Sequence, residues 1–510
     1  MKFLQLPTEV RQVARTTQGL KSALYRLEHG TKDTPRSWFY ESIQDPQEVI
    51  APVLHRLDGM QDLLQLAEWD KSRMSKYGPQ GGSAPLKDRL RGLEEYFSHL
   101  ATPAITHDPV WREAKAQAIK QLGFNETGCP YTIQEVLARG ISEDKYNTNS
   151  GWRLFKKRSS PEALAEAAAC ASPSVCIAER YPCVLGTRAT MGKTGRNARS
   201  IFMASMSVNV CGQRFQMRLQ DYLRAKKVPF FTPWEGWNPV QSQVSSLWDA
   251  GLKFGADYTK MDQHFNLQHG LEVFDVIKHY FQTQWWDELE TIIRYVFEVP
   301  IITNLGYLDE LHTMPSGSEW TNFLETMWNY IFCIYLRLKY QVQFAGAMGI
   351  GDDQLWVLAV DWNSRQIQDF VELVCGEFEY AGLPGNPDKQ EVAYDHTGFL
   401  QRYFCSDWNG NTGKVRAAGV YSLVRNVTSQ VYPERFHSPK KWSADMFALR
   451  CIMIAENCCE HPLFDWYVKE YVAKANPHIL EWARKDLTEQ RRDVASARGI
   501  AGFLPTYNQE

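Results

Sequence analysis

The sequence predicts an α+β fold, with strands paired through tight turns and long helices around them, and three segments carry that prediction. LKFGAD is a short apolar strand that breaks at Asp257, and the following HFNLQHGLEVFDVIKHYFQTQWW has apolar residues at helical spacing. EWTNFLETMWNYIFCIYLRL places Trp320, Phe323, Leu324, Met327, Trp328, Ile331, Tyr335 and Leu338 on a 3.6-residue stripe behind the small-residue loop MPSGS, which predicts a long helix. QFAGAMGIGDDQLWVLAV has β-compatible flanks around Gly-Asp-Asp, which predicts a hairpin with two carboxylates at its tip.

The other elements follow along the chain. The first 75 or so residues mix short amphipathic stretches with many charges, and GPQGGSAP (Gly78 to Pro85) is a turn-rich break. PEALAEAAACA, from Pro161, is helical by propensity and ends near Ser172 and Pro173, before the strand-like YPCVLG. Between Arg180 and Lys227 ten basic residues face Asp221 alone, the strongest local candidate for binding a polyanion. Beyond Ser438 the chain reads as helical until the Gly- and Pro-containing tail ARGIAGFLPTYNQE.

Composition bounds the function. With 510 residues the chain is long enough for roughly three domains. Hydrophobic residues at 44% and charged residues at 23% exclude a mainly disordered or collagen-like chain. The formal charge is −3, from 56 basic and 59 acidic residues, so a nucleic-acid partner must be recognised locally and not by bulk charge. No run approaches 18 apolar residues and the start has no signal-peptide core, so a soluble, unexported protein is expected. The 11 cysteines include no CxxC pair, and Cys451, Cys458, Cys459 and His461 lack zinc-finger spacing, so reduced thiols are expected.

A Gly-Asp-Asp turn is by itself an ordinary solvated turn. Here Asp352 and Asp353 lie between two apolar strands, at the rim of a buried sheet, where a cation would relieve their mutual repulsion. If the strand ending at Asp257 is their neighbour, the carboxylates converge and suit two Mg²⁺ ions that keep waters and share substrate phosphates. Asp262, five residues on, is either a helix cap or an acceptor for a substrate sugar. Ser316, Gly317 and Thr321 form SGxxxT at a helix start, a place that favours phosphate or sugar groups.

The ordered set DxxxxD (Asp257, Asp262), SGxxxT (Ser316, Gly317, Thr321) and GDD (Gly351, Asp352, Asp353) resembles palm motifs A, B and C of viral RNA-dependent RNA polymerases. GKTGRNARSIF resembles finger motif F, and FLQRYF (Phe399 to Phe404) resembles motif E. The wording DYTKMD, PSGSEWTN and GIGDDQ is most similar to picobirnavirus polymerases, with partitiviruses next, and the resemblance spans roughly Arg180 to Phe404.

The resemblance implies a right-hand fold with an antiparallel palm sheet flanked by helices. It divides the chain into an N-terminal extension (1–75), fingers (76–245, with motif F at 188–202), palm (246–405, with an inserted fingers segment near 285–312) and a helical thumb with the tail (406–510). Asp257 and Asp352 would be the principal metal ligands and Asp353 a supporting one, for Mg²⁺ with Mn²⁺ as a substitute. Asp262 with Thr321 would sense the ribose 2′-hydroxyl. Lys193, Arg196 and Arg199 would hold the triphosphate and template backbone. Lys389 would protonate pyrophosphate, against the alternative of an exposed loop lysine. One departure stands out: Glu325 occupies the position, four after Thr321, where many relatives carry Asn, leaving Asn322 and Asn329 as nearby amides. The implied partners are template and product RNA, NTPs and the viral capsid protein, with no membrane. The implied locations are the virion interior and the host cytoplasm.

The rival reading is a P-loop RNA helicase or NTPase, from GTRATMGKTG. Five residues separate Gly186 from Gly192, whereas the motif requires four. A reverse transcriptase is disfavoured because those enzymes typically place a bulky aromatic residue where Asp262 stands. The apolar tail from Arg498 to Glu510 is expected to dock, in the template channel or on the outer thumb.

Overall fold

The computed structural model describes residues 1–510 except 44, 80, 171–174, 189–197, 435–441, 499 and 501–510. At its centre lies a four-stranded antiparallel sheet. Its first strand, β1 (Leu252–Ala256), buries Leu252, Phe254 and Ala256 on one face. Lys253 on the other face is also covered: its Nζ donates to the Tyr394 carbonyl at 2.6 Å and lies 4.2 Å from the centre of the Trp248 ring. A lysine stem can line such a surface while its ammonium finds an acceptor at the edge.

Helix α1 (Trp320–Tyr340) follows. Its sequence stripe suggests one apolar face, yet 15 of its 21 residues are buried, including Glu325, Thr326 and Asn329. A helix apolar on nearly every side is a central one. It packs against the helix Pro109–Leu122 and against β2 (Phe344–Ile350). A turn of Gly351 and Asp352 leads into β3 (Asp353–Leu358). Gly351 has φ +59°, in the left-handed region where glycine avoids the Cβ clash. Helix α2 (Ser364–Tyr380) starts at a capping box of Asn363 and Gln366 and lays Phe370 and Phe378 against Phe254 and Trp356. Strand β4 (Glu391–Ala393) completes the order β2-β3-β1-β4.

Next, β5 (His396–Phe399) and β6 (Arg402–Cys405) form a hairpin joined to Val420–Tyr421. Leu400 and Gln401 turn it with φ of 50° and 63°, the positive values a two-residue hairpin loop needs. A separate four-stranded sheet pairs Cys183–Arg188 antiparallel with Arg199–Met203 and parallel with Ile301–Ile302.

The helix expected from His264 into Trp286 is broken into several pieces. Asn266 accepts from the N–H groups of Gln268 and His269, so a new helix starts there (Leu267–Ile277), and a further one spans Trp286–Glu298. Capping at Asn266 outweighs the continuous periodicity. The Pro161–Cys170 helix and the Cys183–Arg188 strand agree with the sequence. So do the helices Ala444–Ala455, Pro477–Ala483 and Leu487–Arg498 beyond Ser438.

The first 75 residues are shared between two cores. Val10, Leu20, Ala23 and Leu27 join the large core around the central sheet. Phe39, Val49, Ile50, Val53, Leu57 and Leu66 join the core of the C-terminal helices. A buried polar contact reinforces the second: Asp70 accepts from Ser422 Oγ and from the N–H groups of Leu423 (2.9 Å) and Val424 (3.1 Å) at the start of α3 (Leu423–Val431). His461 Nε2 lies 3.2 Å from the same carboxylate. Cys451 and Cys458, in the same core, are buried free thiols.

Candidate active site

Strand register brings the acidic residues together. Ala256 on β1 pairs with Gln354 on β3, and Ile350 pairs with Asp353, so Asp257 leaves β1 beside the Gly351–Asp352 turn. Gln390 clamps the Asp257 backbone, with Oε1 accepting from its N–H at 3.0 Å and Nε2 donating to its carbonyl at 2.8 Å. From below, α1 holds the turn: Thr326 Oγ1 accepts from the Gly351 N–H and Asn329 Nδ2 donates to the Gly351 carbonyl, both at 2.8 Å. The Leu400 N–H, at the tip of the β5–β6 hairpin, donates to Asp353 Oδ2 at 2.9 Å.

The electrostatics follow from this crowding. Burial pushes the Asp353 carboxyl up to about 7, with the Leu400 N–H opposing and Asp352, Asp257 and Glu391 adding repulsion. Asp352 is raised by burial and then by Asp262 and Asp257, with Arg199 opposing. Asp257 is raised by burial while the ammonium of Lys389, exposed at the end of the short 3-10 turn Pro387–Lys389, pulls the other way. Among the described residues no three His, Cys, Asp or Glu side chains are gathered closely enough to cage an ion by themselves. Mg²⁺ does not need such a cage, because it keeps waters and is bound through one or two carboxylates plus substrate phosphates. The all-oxygen, mutually repelling donor set fits it.

A second cluster lies alongside. Asp262 sits in the first turn of the short helix Met261–His264, behind Lys260 with φ +55°. It is not the cap that its position allows: its Oδ2 accepts from Ser316 Oγ and from Arg199 Nη2, and Arg199 Nη2 also lies 3.3 Å from Ser316 Oγ. Three chain segments thus meet on one carboxylate. Gly317 makes the meeting sterically feasible: it has φ +118°, and a Cβ there would stand 2.6 Å from the Phe202 carbonyl. The Phe202 N–H in turn donates to the Ser316 carbonyl at 2.9 Å. Thr321 Oγ1 is 3.4 Å from the Pro315 carbonyl, and Asn322 is exposed.

Glu325 completes this cluster. It is 3% exposed, its Oε1 has no hydrogen-bond partner among the described residues, and burial, then the neighbouring Asp262, pushes its carboxyl well above the ordinary range. In its protonated form a carboxyl at this position would carry one O–H donor, where an amide would carry its N–H donors. Asn329 is committed elsewhere, with Oδ1 accepting from Tyr258 Oη at 2.8 Å and Nδ2 bonded to Gly351.

Lys193 and Arg196 lie outside the described residues, as does the tail beyond Arg498 apart from Ile500. Of the ten cations in the basic stretch, Arg180 pairs with Asp309, Arg188 with Glu434, Arg199 with Asp262 and Arg214 with Glu288. Sequence reading missed Gln390, Thr326 and Tyr96, which is buried against Ser316 close to Asp262. None carries a local signal, since a lone Gln, Thr or Tyr is ordinary in its own segment.

An antiparallel sheet with a carboxylate turn, a central helix beneath the turn and a hairpin behind it defines the right-hand polymerase fold. The chain is similar in structure to the RNA-dependent RNA polymerase of a human picobirnavirus, with TM-score 0.80, 18% identity and coverage of 99% of this chain and 97% of that one. An insertion-loop deletion mutant of that enzyme also gives TM-score 0.80, at 19% identity, covering 96% and 97%. In sequence, the chain is 24% identical over 421 residues to a potential RNA-dependent RNA polymerase of human picobirnavirus (strain Human/Thailand/Hy005102/-), spanning 78% of this chain and 74% of that protein. No family model matches the chain.

Proposed function

We infer that this protein is an RNA-dependent RNA polymerase of a double-stranded RNA virus, which extends a primer 3′-hydroxyl by attack on the α-phosphate of an NTP, with pyrophosphate leaving. The observation that carries the reading is the convergence of Asp257, Asp352 and Asp353 on one sheet edge, beside the Asp262–Ser316–Arg199 cluster. Asp257 and Asp352, supported by Asp353, would hold Mg²⁺, or Mn²⁺ in its place. Bound there, two cations supply activation of the attacking hydroxyl and charge neutralisation at the pyrophosphate. Asp262, Ser316 and Thr321 orient the ribose, Arg199 with Lys193 and Arg196 holds phosphate, and Lys389, whose charge acts on Asp257, gives a proton to the leaving group. The fingers, palm and thumb follow the boundaries set out from the sequence. Template and product RNA occupy the channel between them, and capsid contact and residence in the virion interior and host cytoplasm accompany the viral role. Among the described residues no helix is long and apolar enough to cross a membrane.

The helicase reading has less support. A P-loop needs a strand, a loop and then a helix, whereas the next described element after Cys183–Arg188 is an antiparallel strand, Arg199–Met203, residues 189–197 of the motif lying outside the described residues. Incubation of purified protein with RNA template, NTPs and Mg²⁺ tests the choice: labelled, template-complementary RNA is expected. NTP hydrolysis without template, and no RNA product, would favour the rival.

Asp262→Ala is expected to narrow the preference for NTP over dNTP by about tenfold, since a site that bonds a hydroxyl rejects analogues lacking it. The ratio of kcat/KM values reads this, and an unchanged ratio would leave Asp262 a purely structural residue. Glu325→Gln is expected to lower NTP incorporation less than Glu325→Ala, because glutamine keeps a donor toward Asp262. Single-nucleotide incorporation rates rank the two variants, and the reverse order would mean that Glu325 acts as an anion.

A further inference from the structure

The sugar-reading amide can be identified by elimination, and a residue outside the palm motifs determines how it points. Position 325 carries a buried carboxyl and no amide, and Asn329 has both ends of its amide engaged. Asn322 differs. Its Oδ1 accepts from the Trp234 indole Nε1 at 3.0 Å, while its Nδ2 has no intramolecular acceptor among the described residues. That nitrogen faces the catalytic turn, 3.5 Å from where a Cβ on Gly351 would sit.

An indole N–H is a donor only, so it can meet the oxygen end of an amide and never the nitrogen end. Flipping Asn322 would oppose two donors. Trp234 is itself held: its ring lies parallel to Phe231 (4.8 Å, 6°) and to Phe323 (5.5 Å, 5°), in a three-ring stack. Phe323 adjoins Asn322 on α1, whereas Trp234 comes from the segment Pro229–Glu235, which packs on β2. The amide is therefore oriented by a group that belongs to neither strand of the catalytic hairpin.

We propose that Trp234 is a positioning residue for ribose selection, fixing the Asn322 amide so that Nδ2 donates to the 2′-hydroxyl of the incoming nucleotide beside the Gly351–Asp352 turn. This rests on the polymerase reading and deepens it. The nucleotide oxygen takes the place that Nδ2 leaves open, and Asp262 accepts from the opposite side of the same sugar.

Trp234→Phe tests the idea, because phenylalanine keeps a ring in the stack and removes only the N–H. The ratio of kcat/KM for NTP to that for the matching dNTP should fall about threefold to tenfold, as expected for one ordinary hydrogen bond, and chiefly through a higher KM for NTP. Asn322→Asp, which replaces the donating nitrogen with an acceptor, should lower the same ratio. The double variant should lose no more than the worse single one, because both changes remove one interaction. An unchanged ratio in Trp234→Phe overturns the proposal, as do equal losses for NTP and dNTP or losses that multiply in the double variant. A wild-type protein that makes no templated RNA would instead sink the polymerase reading and this inference with it. Wild-type synthesis with an unmoved variant ratio sinks this inference alone.

Discussion

Asp352→Asn is expected to abolish templated RNA synthesis, by on the order of a thousandfold or more, while the protein stays folded. The side chain keeps its shape but loses the charge that a bound cation requires, and several kcal/mol of lost transition-state stabilisation correspond to that factor at about 1.4 kcal/mol per decade. The fold does not depend on the charge. The turn is held through the Gly351 backbone by Thr326 and Asn329, and Asp352 already faces the repulsion of Asp262 and Asp257. Without metal, the melting temperature of the variant should therefore equal or exceed that of the wild type. Primer extension with Mg²⁺ and thermal unfolding in a chelator measure the two halves. Synthesis at the wild-type rate would remove Asp352 from the metal site, and a large loss of stability would make it a structural residue.

Asp70→Ala is expected to produce the largest loss of stability of any single substitution considered, about 3–5 kcal/mol, the range for removing one partner from a buried polar pair. Asp70 is fully buried, and three donors from Ser422, Leu423 and Val424 converge on it with His461 at its other side. Alanine leaves two backbone N–H groups at the start of α3 without acceptors and His461 without its neighbour. Asp70→Asn should lose less, since an amide oxygen still accepts. Urea denaturation followed by tryptophan fluorescence would rank the variants, and the C-terminal helices should become protease-sensitive first. An alanine variant as stable as the wild type would show that the N-terminal segment is not needed to secure the core of the C-terminal helices.

Several of these features were legible before any coordinates. The segment around Gly351–Asp352–Asp353 specified a hairpin, because its flanks are apolar and β-compatible and its centre supplies turn residues. The apolar run ending at Asp257 specified a strand end, and the order of the acidic, SGxxxT and GDD segments specified the resemblance to polymerases. Each segment's own signal is local, within about twenty residues, where side-chain periodicity and turn chemistry act.

Partner choice was decided only in three dimensions. Asp262 could have been a helix cap until Ser316 and Arg199, 54 and 63 residues away, were seen to donate to it. Asn322 and Asn329 were equivalent amides until Trp234 and the Tyr258–Gly351 pair engaged them differently. The basic stretch gave no sign that Arg180, Arg188 and Arg214 would pair with Asp309, Glu434 and Glu288. Asp70 gave no sign in its own segment that it would cap a helix more than 350 residues away. The physical reason is common to all four: a polar side chain is compatible with many partners, and only the packing of remote apolar faces determines which donor or acceptor is brought within about 3 Å of it.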